Sequence, residues 1–296
     1  MRRSLLTVFF LVAGASPVCA LDWSVYPTDP GRLLPPLAFR QLVITATDSA
    51  RVAAWFVPAQ DSAGTERPGR HPAVLLLTGE EESLPDRLPL AAALAVRGYS
   101  VLALEHRGSG ASRPFDAHPL ALVYHEYVTD AASALDILWR RPEVDTTRIA
   151  ALGESRGAVV ALAAAGRRPE IRAVVAVGVP RSWKTYLESL AKSRPDKGYF
   201  VPETWERRDD PDRVIRRYNG AILFITGAED LVTPPWMARE LHDKYPRPKD
   251  LWIVDGAAHL GEHSPEHVLG GAYVDRIAAF LERELGKAPH RGWPER

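Results

Sequence analysis

The sequence predicts an α/β fold, one mainly parallel β-sheet with helices on both faces. Short apolar runs of buried-strand type recur at Pro72 to Leu77, Tyr99 to Leu104, Ile149 to Leu152, Ile171 to Val179, Ala221 to Ile225 and Leu251 to Val254. Segments of helical period separate them, and strands alternating with helices in this way form a parallel sheet covered on both sides. Composition agrees: 46% apolar and 25% charged residues in a chain of 296 supply enough material for a large core.

The first twenty residues stand apart from this pattern. Arg2-Arg3, an apolar run from Leu5 to Val12 and small residues ending in Val18-Cys19-Ala20 read as a secretory signal peptide, with cleavage expected after Ala20. The apolar run is short for a membrane span, so no stable span is expected once it is removed, and an uncleaved anchor is the alternative. Cleavage would take away the only cysteine and leave 35 basic against 37 acidic residues in a secreted or periplasmic domain covering residues 21–296. The balanced charge, without a basic stripe, argues against nucleic acid as a partner.

From Leu21 to Leu37 the chain is rich in proline and aromatics and reads as an extended lead-in. Arg40 to Thr47 and Arg51 to Pro58, separated by Asp48-Ser49-Ala50, form a hairpin signal, and Ala59 to His71 is a loop. A helix is expected from Leu88 to Arg97. Another lies between Leu120 and Arg141, where Tyr124, Val128, Ala131, Leu135 and Leu138 fall along one helical face. Residues 179–219 break the rhythm and read as a small helical cap insertion, whose aromatics Trp183, Tyr186, Tyr199, Phe200 and Trp205 either line a pocket or pack among themselves. A final amphipathic helix carries Val274, Ile277, Leu281 and Leu285.

The chemistry centres on Gly153-Glu154-Ser155-Arg156-Gly157, placed where a short strand turns into an alanine-rich helix. A nucleophile elbow needs this setting: the turn is tight, and glycines on both flanks remove Cβ atoms that would collide with neighbouring backbone. A serine hydroxyl is a weak nucleophile and needs a base with a third group to orient it. Two later strand ends supply candidates in order, Asp230 after Ala221 to Ile225 and His259 after Leu251 to Val254. Glu229 and Asp255 are the alternative acids, the first with a longer side chain and the second better placed to end its strand. His259, His263 and His267 are spaced by four, but Gly261 and Pro265 interrupt that helix and no cysteine or carboxylate completes a metal site. No glycine-rich dinucleotide or phosphate loop is present, and no cofactor is expected.

With these residues the chain resembles the α/β-hydrolase superfamily, in particular its extracytoplasmic esterase- and peptidase-like members, from about Arg40 to Leu285. Gly153 to Gly157, the segment Gly227-Ala-Glu-Asp230-Leu-Val-Thr-Pro234, Gly256-Ala-Ala-His259 and the turn Glu105-His-Arg-Gly-Ser-Gly110 carry the resemblance. In that turn glutamate replaces the family's usual aspartate, and His106 and Arg107 are expected to brace the loop. The resemblance implies a catalytic triad of Ser155, Asp230 and His259. It also implies an oxyanion hole made by the backbone N–H groups of Arg156 and of Glu80. The family commonly has His-Gly after the corresponding strand, whereas this chain has Thr78-Gly79-Glu80-Glu81-Glu82. Those carboxylates are either solvated or disfavour anionic substrates.

The expected function is a serine hydrolase cleaving an ester or amide of a small-molecule or peptide acyl substrate through an acyl-enzyme. A peptidase, aminopeptidase or acyltransferase on the same triad is the alternative among enzymes, and a non-catalytic binding protein on the same fold is the alternative of another class. Serine at the elbow argues against haloalkane dehalogenase and epoxide hydrolase, which carry aspartate there.

Overall fold

A computed structural model describes residues 37–80, 82–112 and 115–286. The expected signal peptide and nearly all of the lead-in lie outside them. Eight strands form one sheet in the order β1-β2-β4-β3-β5-β6-β7-β8. The strands are β1 (Arg40–Thr45), β2 (Arg51–Val57), β3 (His71–Leu77), β4 (Ser100–Leu104), β5 (Val144–Glu154), β6 (Ile171–Val177), β7 (Ala221–Gly227) and β8 (Lys249–Val254). The hairpin β1–β2 forms one edge, β2 runs antiparallel to β4, and β3 to β8 are mutually parallel.

Every residue of β4, β6 and β7 is buried, which is why those segments read as continuous apolar runs and not as alternating ones. Alternation survives in which face each side chain joins. In β3, Leu75 and Leu77 join a core beneath α2 (His125–Trp139), α3 (Arg156–Ala165) and α6 (Pro235–Lys244). Val74 and Leu76 join the opposite core, beneath α1 (Leu84–Val96) and α7 (Gly271–Leu285). Each parallel crossover thus lays its helix on one face or the other, and the loops that follow β3, β5, β7 and β8 gather on one rim.

Helix boundaries differ from the sequence expectation where polar groups, not periodicity, set them. Helix α1 starts at Leu84, four residues before the expected Leu88, because Ser83 and Asp86 form a capping box and Pro85 sits in the first turn. Strand β5 begins at Val144, five residues earlier than the apolar run, pairing with His71 ahead of a bulge that leads into the regular ladder at Ala73 and Ile149. Between β6 and β7 lie α4 (Trp183–Ser193), a short 3-10 turn and α5 (Pro211–Val214), with no strand of the main sheet. Phe200 exchanges backbone hydrogen bonds with Leu120 and Leu122, each 3.0 Å, which ties this insertion to the segment leading into α2.

Candidate active site

Ser155 stands between β5 and α3 with φ 53° and ψ −117°, one of two non-glycine residues of positive φ among the described residues. A β-carbon pays for such a conformation with roughly 1–3 kcal/mol of strain, so the surroundings must over-determine it. They do so through contact. A Cβ on Gly153 would lie 2.3 Å from the backbone of Gly157, and one on Gly157 would lie 2.5 and 2.6 Å from the carbonyl oxygens of Thr78 and Leu77. The elbow therefore touches itself and the end of β3 at distances that only hydrogen fits. The Ser155 N–H donates to the Val177 carbonyl at 2.8 Å, and every residue of α3 from Gly157 to Ala165 is buried.

The carboxyl ends of the next strands continue the same ladder. The Gly178 N–H donates to Ile225, and the Ala228 N–H to Val254, each at 2.8 Å. Gly227 lets the two following loops meet, since a Cβ there would lie 2.3 Å from the Ala257 carbonyl. On this frame Asp230 and His259 are both buried, and Glu229 and Asp255 are exposed. His259 Nδ1 lies 2.7 Å from Asp230 Oδ2, and His259 Nε2 lies 3.0 Å from Ser155 Oγ. The first contact assigns the Nδ1 proton to the carboxylate and leaves Nε2 to accept from the serine hydroxyl. Thr233, which sequence reasoning passed over, donates to Asp230 Oδ2 at 2.7 Å, and its backbone N–H and that of Val232 donate to Oδ1 at 2.7 and 2.8 Å. The carboxylate is held by four donors and cannot rotate away from the imidazole.

The loop after β3 faces the elbow. His106 Nε2 donates to the Thr78 carbonyl at 2.9 Å. Burial and the nearby Arg156 cation hold the His106 imidazole well below the usual histidine range, so it braces the loop as a neutral donor. The Arg156 guanidinium donates to the Glu80 carbonyl at 2.9 Å and more weakly to Gly79 at 3.4 Å. Its side chain thus has a task of its own beyond the backbone N–H expected from sequence. Because peptides are planar, gripping the Gly79 carbonyl also fixes the direction of the Glu80 N–H. Glu82 is not a solvated carboxylate, as it accepts the Gly79 N–H at 2.5 Å and pairs with Arg87; Glu81 lies outside the described residues. Arg107 is bracketed by Asp130 and Asp48, and the Glu105 carboxylate accepts the Ala111 and Ser112 N–H groups, so the turn after β4 is structural.

The insertion adds a roof. Trp183 and Trp205 pack edge to face, with ring centroids 5.8 Å apart, and both join the buried core. Tyr186, also on α4, is buried with them, its ring centroid 5.7 Å from that of Trp183. Burial pushes its phenol above the usual tyrosine range, Glu80 adds to the shift, and a hydrogen bond with Ser155 opposes it. Outside this lies an open groove of about 340 Å³ between α4 and the loop after Asp230, lined by Thr185, Ser189, Lys192, Leu231, Pro234 and Trp236 among others. Leu231 and Trp236 are 76% and 44% exposed, large apolar side chains presented to solvent beside a buried carboxylate. His263 and His267 do not converge with His259, and among the described residues no cluster of three ligating side chains forms.

Residues 69–217, half of the chain and including the elbow, match the family model described as serine aminopeptidase, S33. The chain belongs to that family. Its fold is accordingly that of the α/β-hydrolases. A Mycobacterium tuberculosis protein, Rv2307c, whose function is uncharacterised, is 29% identical over 248 residues, covering 82% of this chain and 79% of the relative. The esterase Pf2001 of Pyrococcus furiosus superposes with a TM-score of 0.66 at 21% identity, covering 84% of this chain and 94% of the esterase. The acylaminoacyl peptidase of Pyrococcus horikoshii gives the same TM-score at 16% identity, covering 88% of this chain and 44% of the peptidase. At such identities these neighbours speak to the fold, and they span both esterases and peptidases.

The contact at Gly157 makes a direct prediction. Gly157→Ala forces a Cβ against two backbone carbonyls and should lower unfolding free energy by roughly 1–3 kcal/mol, as overpacking does. A denaturant titration with an unshifted midpoint would show that the elbow is looser than described.

Proposed function

We propose that this member of the family is a serine hydrolase whose nucleophile is Ser155. The hydrogen-bonded line from Asp230 through His259 to Ser155, at 2.7 and 3.0 Å, is the observation that carries the reading. In the proposed cycle His259 Nε2 takes the proton as Ser155 Oγ attacks an ester or amide carbonyl, and Asp230 steadies the imidazolium that forms. The negative oxygen of the tetrahedral intermediate is received by the backbone N–H groups of Arg156, at the start of α3, and of Glu80. His259 then protonates the leaving group. Water activated by the same histidine releases the acyl group from Ser155. A fluorophosphonate probe should label the wild-type protein and leave Ser155→Ala unlabelled, and a wild type that stays unlabelled in the folded state would sink the proposal.

Carboxylester hydrolysis is the reading preferred here, with amide or aminoacyl cleavage on the same residues as the second. The groove beside Asp230 favours a substrate with an apolar acyl or leaving group, because Leu231 and Trp236 offer it surface that water otherwise covers. Leu231→Asp should raise KM for a p-nitrophenyl octanoate by about 5- to 10-fold while leaving the acetate unchanged, as each methylene removed from apolar contact costs about 0.8 kcal/mol. Equal effects on both esters would place the acyl chain elsewhere.

The proposed site of action is the periplasm or exterior, after removal of residues 1–20. Among the described residues no helix is long and apolar enough to cross a membrane. Amino-terminal sequencing of the protein from cells should begin at Leu21; a chain still starting at Met1 would indicate retention as an anchor.

A further inference from the structure

Three carboxylates from three different segments converge on one buried guanidinium that belongs to none of the groups assigned above. Arg87, on α1, pairs with Glu82 of the loop after β3, with Glu154 Oε2 at 3.2 Å and with Glu266 Oε2 at 3.0 Å. Arg87 is 7% exposed and Glu154, the residue before Ser155, only 3%. Stability alone does not account for such a cluster, since desolvating charges costs several kcal/mol per ion and apolar side chains of similar volume often serve a core better. Burial pushes the Glu154 carboxyl up from its usual range, and Arg87 works against that shift.

What the cluster does is visible in how Glu82 uses its two oxygens. Oε1 faces Arg87, and Oε2 accepts the Gly79 N–H at 2.5 Å. Two contacts therefore lead from Arg87 to the Thr78–Gly79 peptide, the one before the peptide that carries the Glu80 N–H, and one contact leads from Arg87 to the residue just before Ser155. We propose that Arg87 is a positioning residue that sets the register of the oxyanion loop against the nucleophile, acting through Glu82 on one side and Glu154 on the other. It rests on the serine-hydrolase reading above, and Arg87 itself touches neither substrate nor reacting atoms. Without the clamp the Gly79 N–H loses its acceptor, and the peptide that carries the Glu80 N–H is left with the weak 3.4 Å grip of Arg156 on the Gly79 carbonyl, beside the Thr78 and Glu80 carbonyls held by His106 and Arg156. The loop stays folded, but its donor is no longer aimed. Glu266, at the outer side of the cluster with its side chain 23% exposed, contributes to holding Arg87 and, among the described residues, makes no hydrogen bond or ion pair with the loop.

The test separates aiming from folding by comparing a p-nitrophenyl ester with its thionoester, whose sulfur is a poor acceptor and draws little help from an oxyanion hole. One oxyanion donor is worth about 10²–10³ in kcat, so a misaimed donor in Glu82→Ala should lower kcat on the oxygen ester about 10- to 100-fold. KM should hold and the rate advantage of oxygen over sulfur should shrink by a similar factor. Arg87→Met should do the same where it folds. Glu266→Ala should lose melting temperature comparably to Glu82→Ala and keep the wild-type oxygen-to-sulfur ratio within about twofold, since no donor moves. A Glu82→Ala protein that turns over the oxygen ester with the wild-type ratio overturns the positioning role. A wild type that turns over neither ester removes the serine-hydrolase reading itself, and this inference with it.

Discussion

The structure depends on one close approach: backbone of the elbow against backbone at the end of β3. Gly157 lies where any side chain would enter the carbonyls of Leu77 and Thr78, and Gly153 lies where one would enter Gly157. That contact holds Ser155 in a left-handed conformation at the head of α3 and brings the loop after β3 alongside it. The strain, of order 1–3 kcal/mol, is small beside the burial of a helix whose residues from Gly157 to Ala165 are all inside.

Charge is distributed unevenly around this contact. The two cores are almost wholly aliphatic and aromatic, whereas the rim carries Arg87 with its three carboxylates, Arg107 between Asp48 and Asp130, and the four-donor cradle of Asp230. Buried charges are costly unless partnered, and here each of these has named partners from separate segments. Loops that would otherwise follow their own local preferences are thereby held in one arrangement. His106 belongs to the same scheme as a neutral member, donating to Thr78 where a charged group would not be tolerated.

The match to the serine aminopeptidase S33 family covers the elbow, the loop after β3 and most of the insertion, but stops short of Asp230 and His259, which the remaining strands bring in. The insertion's Trp183–Trp205 pair packs inward with Tyr186 against Trp183, and its outer face makes a groove with Leu231 and Trp236. Esterase and peptidase neighbours share the frame.

Much was legible in the sequence because its signals are local. Buried parallel strands read as apolar runs, the elbow reads as Gly153-x-Ser155-x-Gly157 at a strand-to-helix junction, and the chain order Ser155, Asp230, His259 follows from which strands end where. Exposure separates Asp230 from Glu229 and Asp255 in the sense the sequence suggested. Other features had no local signal. The start of α1 was set by a capping box, and the extension of β5 to Val144 by a partner strand distant in sequence. Thr233 holds Asp230 from within one loop, but the grip of the Arg156 guanidinium on Glu80 and that of Arg87 on Glu266 cross 76 and 179 positions of chain, which no periodicity encodes. By itself the sequence determined the layered fold and pointed to Ser155, Asp230 and His259 as the candidates for its chemistry. Only the tertiary structure decided how they are held, because the hydrogen bonds and buried ion pairs that hold them form when distant strand ends meet on one rim.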